Sequence, residues 1–129
     1  MQFAFIICVI CVACLNMDCI FCKIIKGEIP AELIYQDDDI VAFRDINPQA
    51  PTHILIIPKK HIERVSDMKD GDAGLVGKMV LAGKKLAQEE GIAESGFRLV
   101  FNNNKDAGQA VFHIHLHLLG GRKFSWPPG

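Results

Sequence analysis

Beyond position 22 the chain has no cysteine, and its five cysteines are not spread as a disulfide framework requires. Cys8, Cys11 and Cys14 fall in an apolar run, and Cys19 and Cys22 follow directly after it. A secreted scaffold distributes its cysteines through the fold, so this pattern points to a reducing, cytoplasmic setting for residues 19–129. Excess charge of either sign is also missing. All 14 Lys and Arg and 14 of the 15 Asp and Glu lie in 19–129, which is formally neutral. That balance argues against a nucleic-acid partner bound by phosphate neutralisation. The longest apolar stretch, Phe3–Leu15, has 13 residues, short of the roughly 20 that a membrane-spanning helix needs. Repeats, low-complexity linkers and charge blocks are absent, and a 50% hydrophobic composition excludes a disordered chain.

What is present divides into residues 1–18, an apolar extension, and residues 19–129, one domain long enough to bury a core. The extension has the length of a signal-peptide core, yet no Lys or Arg precedes it and no small-x-small cleavage site follows. Three readings are open: an upstream segment ahead of a start at Met17, a targeting or anchoring segment, and a structural element. Membrane contact is expected only under the second.

Within the domain, Ile20–Ile25 reads as one or two helical turns stopped by Gly27 and Pro30. Leu33–Gln36 and Ile40–Arg44 read as a hairpin across the Asp37-Asp38-Asp39 turn. Two prolines make Asn47–Pro51 a loop, and His53–Ile57 is an apolar strand ended by Pro58. The one strong helix is Asp72–Glu90, with Leu75, Met79, Ala82 and Leu86 on one face. Asp70 or Asp72 is expected to cap it, and Gly91 to stop it. Phe97–Phe101 is a strand, Asn102–Gln109 a polar loop, and Val111–Leu119 the last strand. Hairpin-length connections around one main helix give an antiparallel sheet in an α+β fold.

The sharpest feature is His113-Ile114-His115-Leu116-His117-Leu118-Leu119. Side chains alternate on a strand, so the three histidines share one face and the aliphatic residues the other. Packed imidazoles repel when charged, and such a cluster gains the fold nothing; it therefore points to chemistry. Two chemistries are open. A neutral imidazole can attack phosphorus and form a covalent phosphorus–nitrogen intermediate while its neighbours handle protons. Alternatively, three imidazoles on one face can hold a catalytic zinc. The loop before the strand, with Asn102, Asn103, Asn104, Gly108 and Gln109, offers amide and backbone donors to an anion, which favours the first. Asp45, at a strand end, is a candidate acceptor for a ribose diol.

The histidine strand resembles the His-φ-His-φ-His-φ-φ signature of the histidine triad (HIT) superfamily, φ being apolar. The likeness runs through 19–129: Phe21-Cys22-Lys23-Ile24-Ile25, Ala42-Phe43-Arg44-Asp45-Ile46, Pro48-Gln49-Ala50-Pro51-Thr52-His53, Ile57-Pro58-Lys59-Lys60-His61, and the tail Gly120-Gly121-Arg122 with Trp126-Pro127-Pro128-Gly129 are similar to the nucleotide-binding (Hint) branch. This resemblance implies a homodimer that joins two five-stranded antiparallel sheets into one of ten strands. It implies hydrolysis of purine nucleoside 5′-phosphoramidates, with no cofactor required for catalysis. By matching positions, His115 is the nucleophile, His117 its phosphate-binding neighbour, and His53 and His113 complete the cluster. Ile20, Phe21, Ile29, Phe43 and Ile46 match the purine pocket, Asp45 the ribose ligand, and Asn102, Gly108, Gln109 and Ala110 the phosphate and leaving-group loop. Ala110 departs from the serine of many relatives, which removes one hydroxyl donor. Some members hold a structural zinc with a Cys-x-x-Cys pair and two histidines; the set implied here is Cys19, Cys22, His53 and His113. The rivals to a phosphoramidase are a nucleotide-binding regulatory protein with incidental turnover and a zinc hydrolase using the three histidines directly.

Overall fold

The computed structural model describes residues 18–129. The apolar run before them, with every expectation placed on it, lies outside the described residues. A short helix α1 (Ile20–Ile25) leads into strands β1 (Leu33–Gln36), β2 (Ile40–Arg44) and β3 (Thr52–Pro58). The main helix α2 (Ala73–Glu89) follows, then β4 (Phe97–Phe101) and β5 (Leu116–Gly120). The five strands form one sheet in the order β1-β2-β3-β5-β4, every neighbour antiparallel. This is the α+β arrangement the sequence predicts. No helix among the described residues is long and apolar enough to cross a membrane.

Local chemistry accounts for the elements. The β1–β2 turn closes because the Asp37 carboxylate accepts from the backbone N–H of Asp39 and Ile40, both at 2.8 Å. Helix α2 ends as expected at Gly91, whose φ of 75° is left-handed. The Gly91 N–H donates to Gln88 and that of Ile92 to Ala87, a Schellman stop. Its start differs from expectation. Asp72 stands at the N-cap, but its carboxylate accepts from the Lys69 N–H at 2.9 Å and from Lys60 Nζ at 2.7 Å, not from the helix. A 3-10 turn over Asp70–Asp72 leads the chain into the helix instead.

The sheet is buried on both faces. One packs on α2 through Ile40, Ala42, Ile54, Ile56, Leu116 and Leu118 against Met79, Leu86 and Ala87. The other packs on α1 through Val41, Phe43, Leu55 and Ile57 against Phe21, Cys22 and Ile24. Period-two alternation therefore sends His53 and His117 to the α1 side. The last strand is shorter than the predicted Val111–Leu119, because the ladder begins only at Leu116. Carried past its last pair, Ile56 with Leu116, the β3–β5 register would set Ile114 opposite Pro58, which has no N–H to give. The Pro58 carbonyl is taken by His113 Nε2 at 2.7 Å, and the Ile114 N–H turns to the Ile62 carbonyl at 2.7 Å. His113 and His115 thus lie on the segment that leads into β5.

Candidate active site

Beneath α1 the sheet forms a cavity of about 440 Å³. Ile20, Phe21, Ile24, Ile29, Phe43 and Leu55 supply apolar walls, while Asp45, Asn47, Gln49, His53, His115 and His117 supply polar groups. Such a space, apolar with a few convergent polar groups, has the character of a small-molecule site. Phe21 holds it together: its ring meets Phe43 edge-on at 5.5 Å and His115 at 5.1 Å between centroids.

Two hydrogen-bond chains set the protonation of the histidines. His115 Nδ1 lies 2.8 Å from the His113 carbonyl, an oxygen that can only accept. Nδ1 therefore carries the proton and Nε2 the lone pair. The second chain begins at the Gln49 backbone N–H, which donates to His53 Nδ1 at 3.0 Å. His53 must then be protonated on Nε2, which stands 2.9 Å from His117 Nδ1 and 3.4 Å from an Asp45 oxygen. His117 Nδ1 accepts that proton, which leaves a proton on Nε2 of the neutral ring. Burial is the main force holding all of them neutral. It lowers His53 and His115 below the ordinary imidazole value and, with the fields of His115 and His53, takes His117 to about 4.

The alternation puts His113 on the same side of the sheet, yet its ring serves a different cluster. Cys19 Sγ, Cys22 Sγ, His61 Nδ1 and His113 Nδ1 all lie within 4.8 Å of one another. Separations are 3.3 Å from Cys22 to His61, 3.4 Å from Cys19 to His113, 3.6 Å from Cys22 to His113 and 3.2 Å between the two nitrogens. Around a tetrahedral zinc, ordinary bond lengths give about 3.6 Å for sulfur–nitrogen and about 3.3 Å for nitrogen–nitrogen edges. His113 also donates Nε2–H to the Pro58 carbonyl, which leaves Nδ1 basic, the usual outer support of a metal-bound histidine. The donor set thus fits zinc, with Cys22, disulfide-bonded here, entering it only on reduction. The expected set needs one correction: His53 is not part of it. His53 pairs with His117 and Asp45, and the fourth donor is His61, three residues past the end of β3. A signal was present in Pro58-Lys59-Lys60-His61, the chain turning back after Pro58, but spacing alone did not single it out.

The three-histidine zinc reading lacks its third donor: His113 directs Nδ1 to the cysteines and Nε2–H to the Pro58 carbonyl, and His113, His115 and His117 form no common ligand group among the described residues. Of the residues matched to a nucleotide pocket, Ile20, Phe21, Ile29, Phe43, Asp45, Ile46, Ala110, His115 and His117 line the cavity. Asn102, Gly108 and Gln109 do not. Gln109 is buried and its amide is fully engaged: Oε1 accepts from the Asn104 N–H at 2.7 Å, and Nε2 donates to the Glu63 and Val111 carbonyls at 2.6 and 3.0 Å. It braces the loop. Ile24, Pro30, Ala31, Arg44, Asn47, Gln49, Leu55 and Val111 also line the cavity, and the sequence did not single them out as site residues.

Fold and site together define a histidine-triad arrangement, and comparison with known proteins agrees. Residues 26–124 match the HIT domain, and the chain belongs to that family. A purine nucleoside phosphoramidase of Escherichia coli K12 is 55% identical over 103 residues, covering 80% of this chain and 87% of that protein. An uncharacterized HIT-like protein of Synechocystis is 54% identical over 112 residues, 87% of this chain and 97% of that one. Among solved structures, a HIT family hydrolase from Legionella pneumophila Philadelphia 1 superposes with a TM-score of 0.85 at 60% identity, over 87% of this chain and 100% of that one.

Proposed function

We propose that the protein hydrolyses purine nucleoside 5′-phosphoramidates through a nucleotidylated His115. The observation that carries this reading is the 2.8 Å bond from His115 Nδ1 to the His113 carbonyl, which directs the lone pair to Nε2 on a ring lining the cavity. The E. coli relative named purine nucleoside phosphoramidase supports the substrate class. In this reading the purine lies between the apolar walls and Asp45 accepts from the ribose hydroxyls. His115 Nε2 attacks phosphorus, and the phosphorus–nitrogen bond to the leaving group breaks as the amine takes a proton from solvent water and departs. Water then attacks phosphorus and gives up its proton to solvent, the bond to His115 breaks with its electron pair returning to Nε2, and the nucleoside 5′-monophosphate leaves. His117 Nε2–H donates to a phosphate oxygen in both steps, and the Gln49–His53–His117 chain keeps that proton in place.

Zinc on Cys19, Cys22, His61 and His113 belongs to the proposal as a closed structural site that supplies folding energy and does not meet substrate. So does a homodimer. Among the described residues strand β4 is an outer sheet edge of apolar character, and beside it α2 exposes Val80 and Leu81, a surface suited to pairing with a second copy into ten strands.

Turnover of an adenosine 5′-phosphoramidate tests the central reaction, with AMP and free amine measured together. His115→Ala is expected to lower kcat by ~10⁴-fold or more while AMP still binds. Turnover comparable with the parent would remove His115 from the chemistry. Tight AMP binding with no turnover by the parent would instead favour the regulatory, nucleotide-binding reading.

A further inference from the structure

The cysteine–histidine set and the cavity share two pieces of chain. On α1, Cys19 and Cys22 turn to the set, while Ile20, Phe21 and Ile24 turn to the cavity. On the segment before β5, His113 offers Nδ1 to the set while its main-chain carbonyl takes the Nδ1 proton of His115. None of the four donor residues lines the cavity. Helix α1 has six residues, fewer than a helix needs to persist in water by itself. Its N-cap bond, from the Cys22 N–H to Cys19 Sγ at 3.4 Å, is to a weak acceptor. The placement of the cavity's wall therefore depends on what α1 is fastened to.

We propose that the Cys19, Cys22, His61 and His113 set is a positioning clamp for the nucleotide cavity: zinc closing on it fixes α1 and the His113 carbonyl, and thereby strengthens nucleotide binding without touching the nucleotide. The inference rests on the nucleotide reading of the cavity given above. It assigns His61, distant from the chemistry in sequence and absent from the cavity lining, a role in substrate affinity. It also makes the coupling reciprocal. Whatever factor zinc adds to nucleotide affinity, nucleotide must add to zinc affinity, because the two sites share one thermodynamic cycle.

The test uses the full chain, kept reduced with a phosphine so that Cys22 enters as a thiolate. AMP affinity is measured by calorimetry on zinc-free and zinc-loaded protein. Zinc affinity is measured by chelator competition with and without saturating AMP. The zinc-loaded protein is expected to bind AMP about tenfold more tightly, with zinc affinity raised by the same factor when AMP is present. His61→Gln is expected to bind AMP as the zinc-free parent does, and added zinc should not restore the affinity. Cys19→Ser, which weakens the set but keeps three donors, should lose zinc and AMP affinity together and serves if the zinc-free parent does not stay folded. Equal AMP affinity in the two forms, a zinc affinity indifferent to AMP, or failure of the reduced protein to take up zinc each overturns the clamp and leaves the nucleotide reading standing. AMP binding in neither form overturns the nucleotide reading itself, and the clamp with it.

Discussion

At the scale of single residues, the site works by fixing where protons sit. Main-chain groups do this: the His113 carbonyl for His115, and the Gln49 N–H for His53 and through it His117. The sign of the pH dependence follows. His117 is pushed to about 4, chiefly by burial, while an unfolded histidine titrates near 6.5. Between those values the unfolded chain binds more protons, so the contribution is intact above about pH 6.5 and is lost as pH falls toward 4. Melting temperature at pH 4.5 is expected to lie below that at pH 7, and His117→Asn should reduce the difference; an unchanged difference would show that His117 is not the group responsible. That the three histidines share one side of the sheet was legible from their period-two spacing, although only His117 lies on β5 itself. The division of labour among them was not. It depends on the Pro58 carbonyl, which accepts from His113 Nε2 and so leaves Nδ1 facing the cysteines. His61 was equally hidden, since only the turn after β3 brings it beside Cys22.

Elements carry a different kind of information. The period of α2 and its Gly91 stop were readable, because apolar spacing and a left-handed C-terminal glycine are local properties. The Asp72 cap and the phosphate-loop role of Gln109 were not, because Lys60 and the Glu63 carbonyl, which claim those side chains, come from other stretches of the chain. Gly91→Ala places a Cβ at φ 75°, and a loss of about 1 kcal/mol is expected in denaturant unfolding. No loss would mean the helix end relaxes without that conformation. The C-terminal tail is tied down by Phe124, whose ring meets the guanidinium of Arg122 at 4.3 Å and that of Arg98 at 5.0 Å, while Trp126 stays 82% exposed. Arg122 Nε also donates to the Gln49 carbonyl, beside the cavity's polar rim. Deleting Ser125–Gly129 is therefore expected to change relative rates on small and bulky amine leaving groups with the dimer retained; unchanged selectivity would remove the tail from the site.

For the whole molecule, one sheet separates two tasks. The α2 side is aliphatic core, and the α1 side holds cavity and cysteine–histidine set together. The strand-rich order with hairpin-length connections made the α+β architecture legible, whereas the proposed pairing of two sheets rests on β4 being an outer strand among the described residues. If the proposed dimer forms over this face, Leu81→Glu, at a side chain 64% exposed, is expected to convert it to a monomer in light scattering, since a buried unpaired carboxylate is unfavourable at an apolar interface. A dimer that persists would move the interface elsewhere. If His115 is the nucleophile, it becomes covalently nucleotidylated during turnover. Mass spectrometry of protein acid-free quenched during turnover of an adenosine 5′-phosphoramidate addresses it most directly. An adenylyl group is expected on the peptide containing His115, and none in His115→Ala. Sustained turnover with no adduct in the parent, or an adduct that persists in His115→Ala, would contradict it.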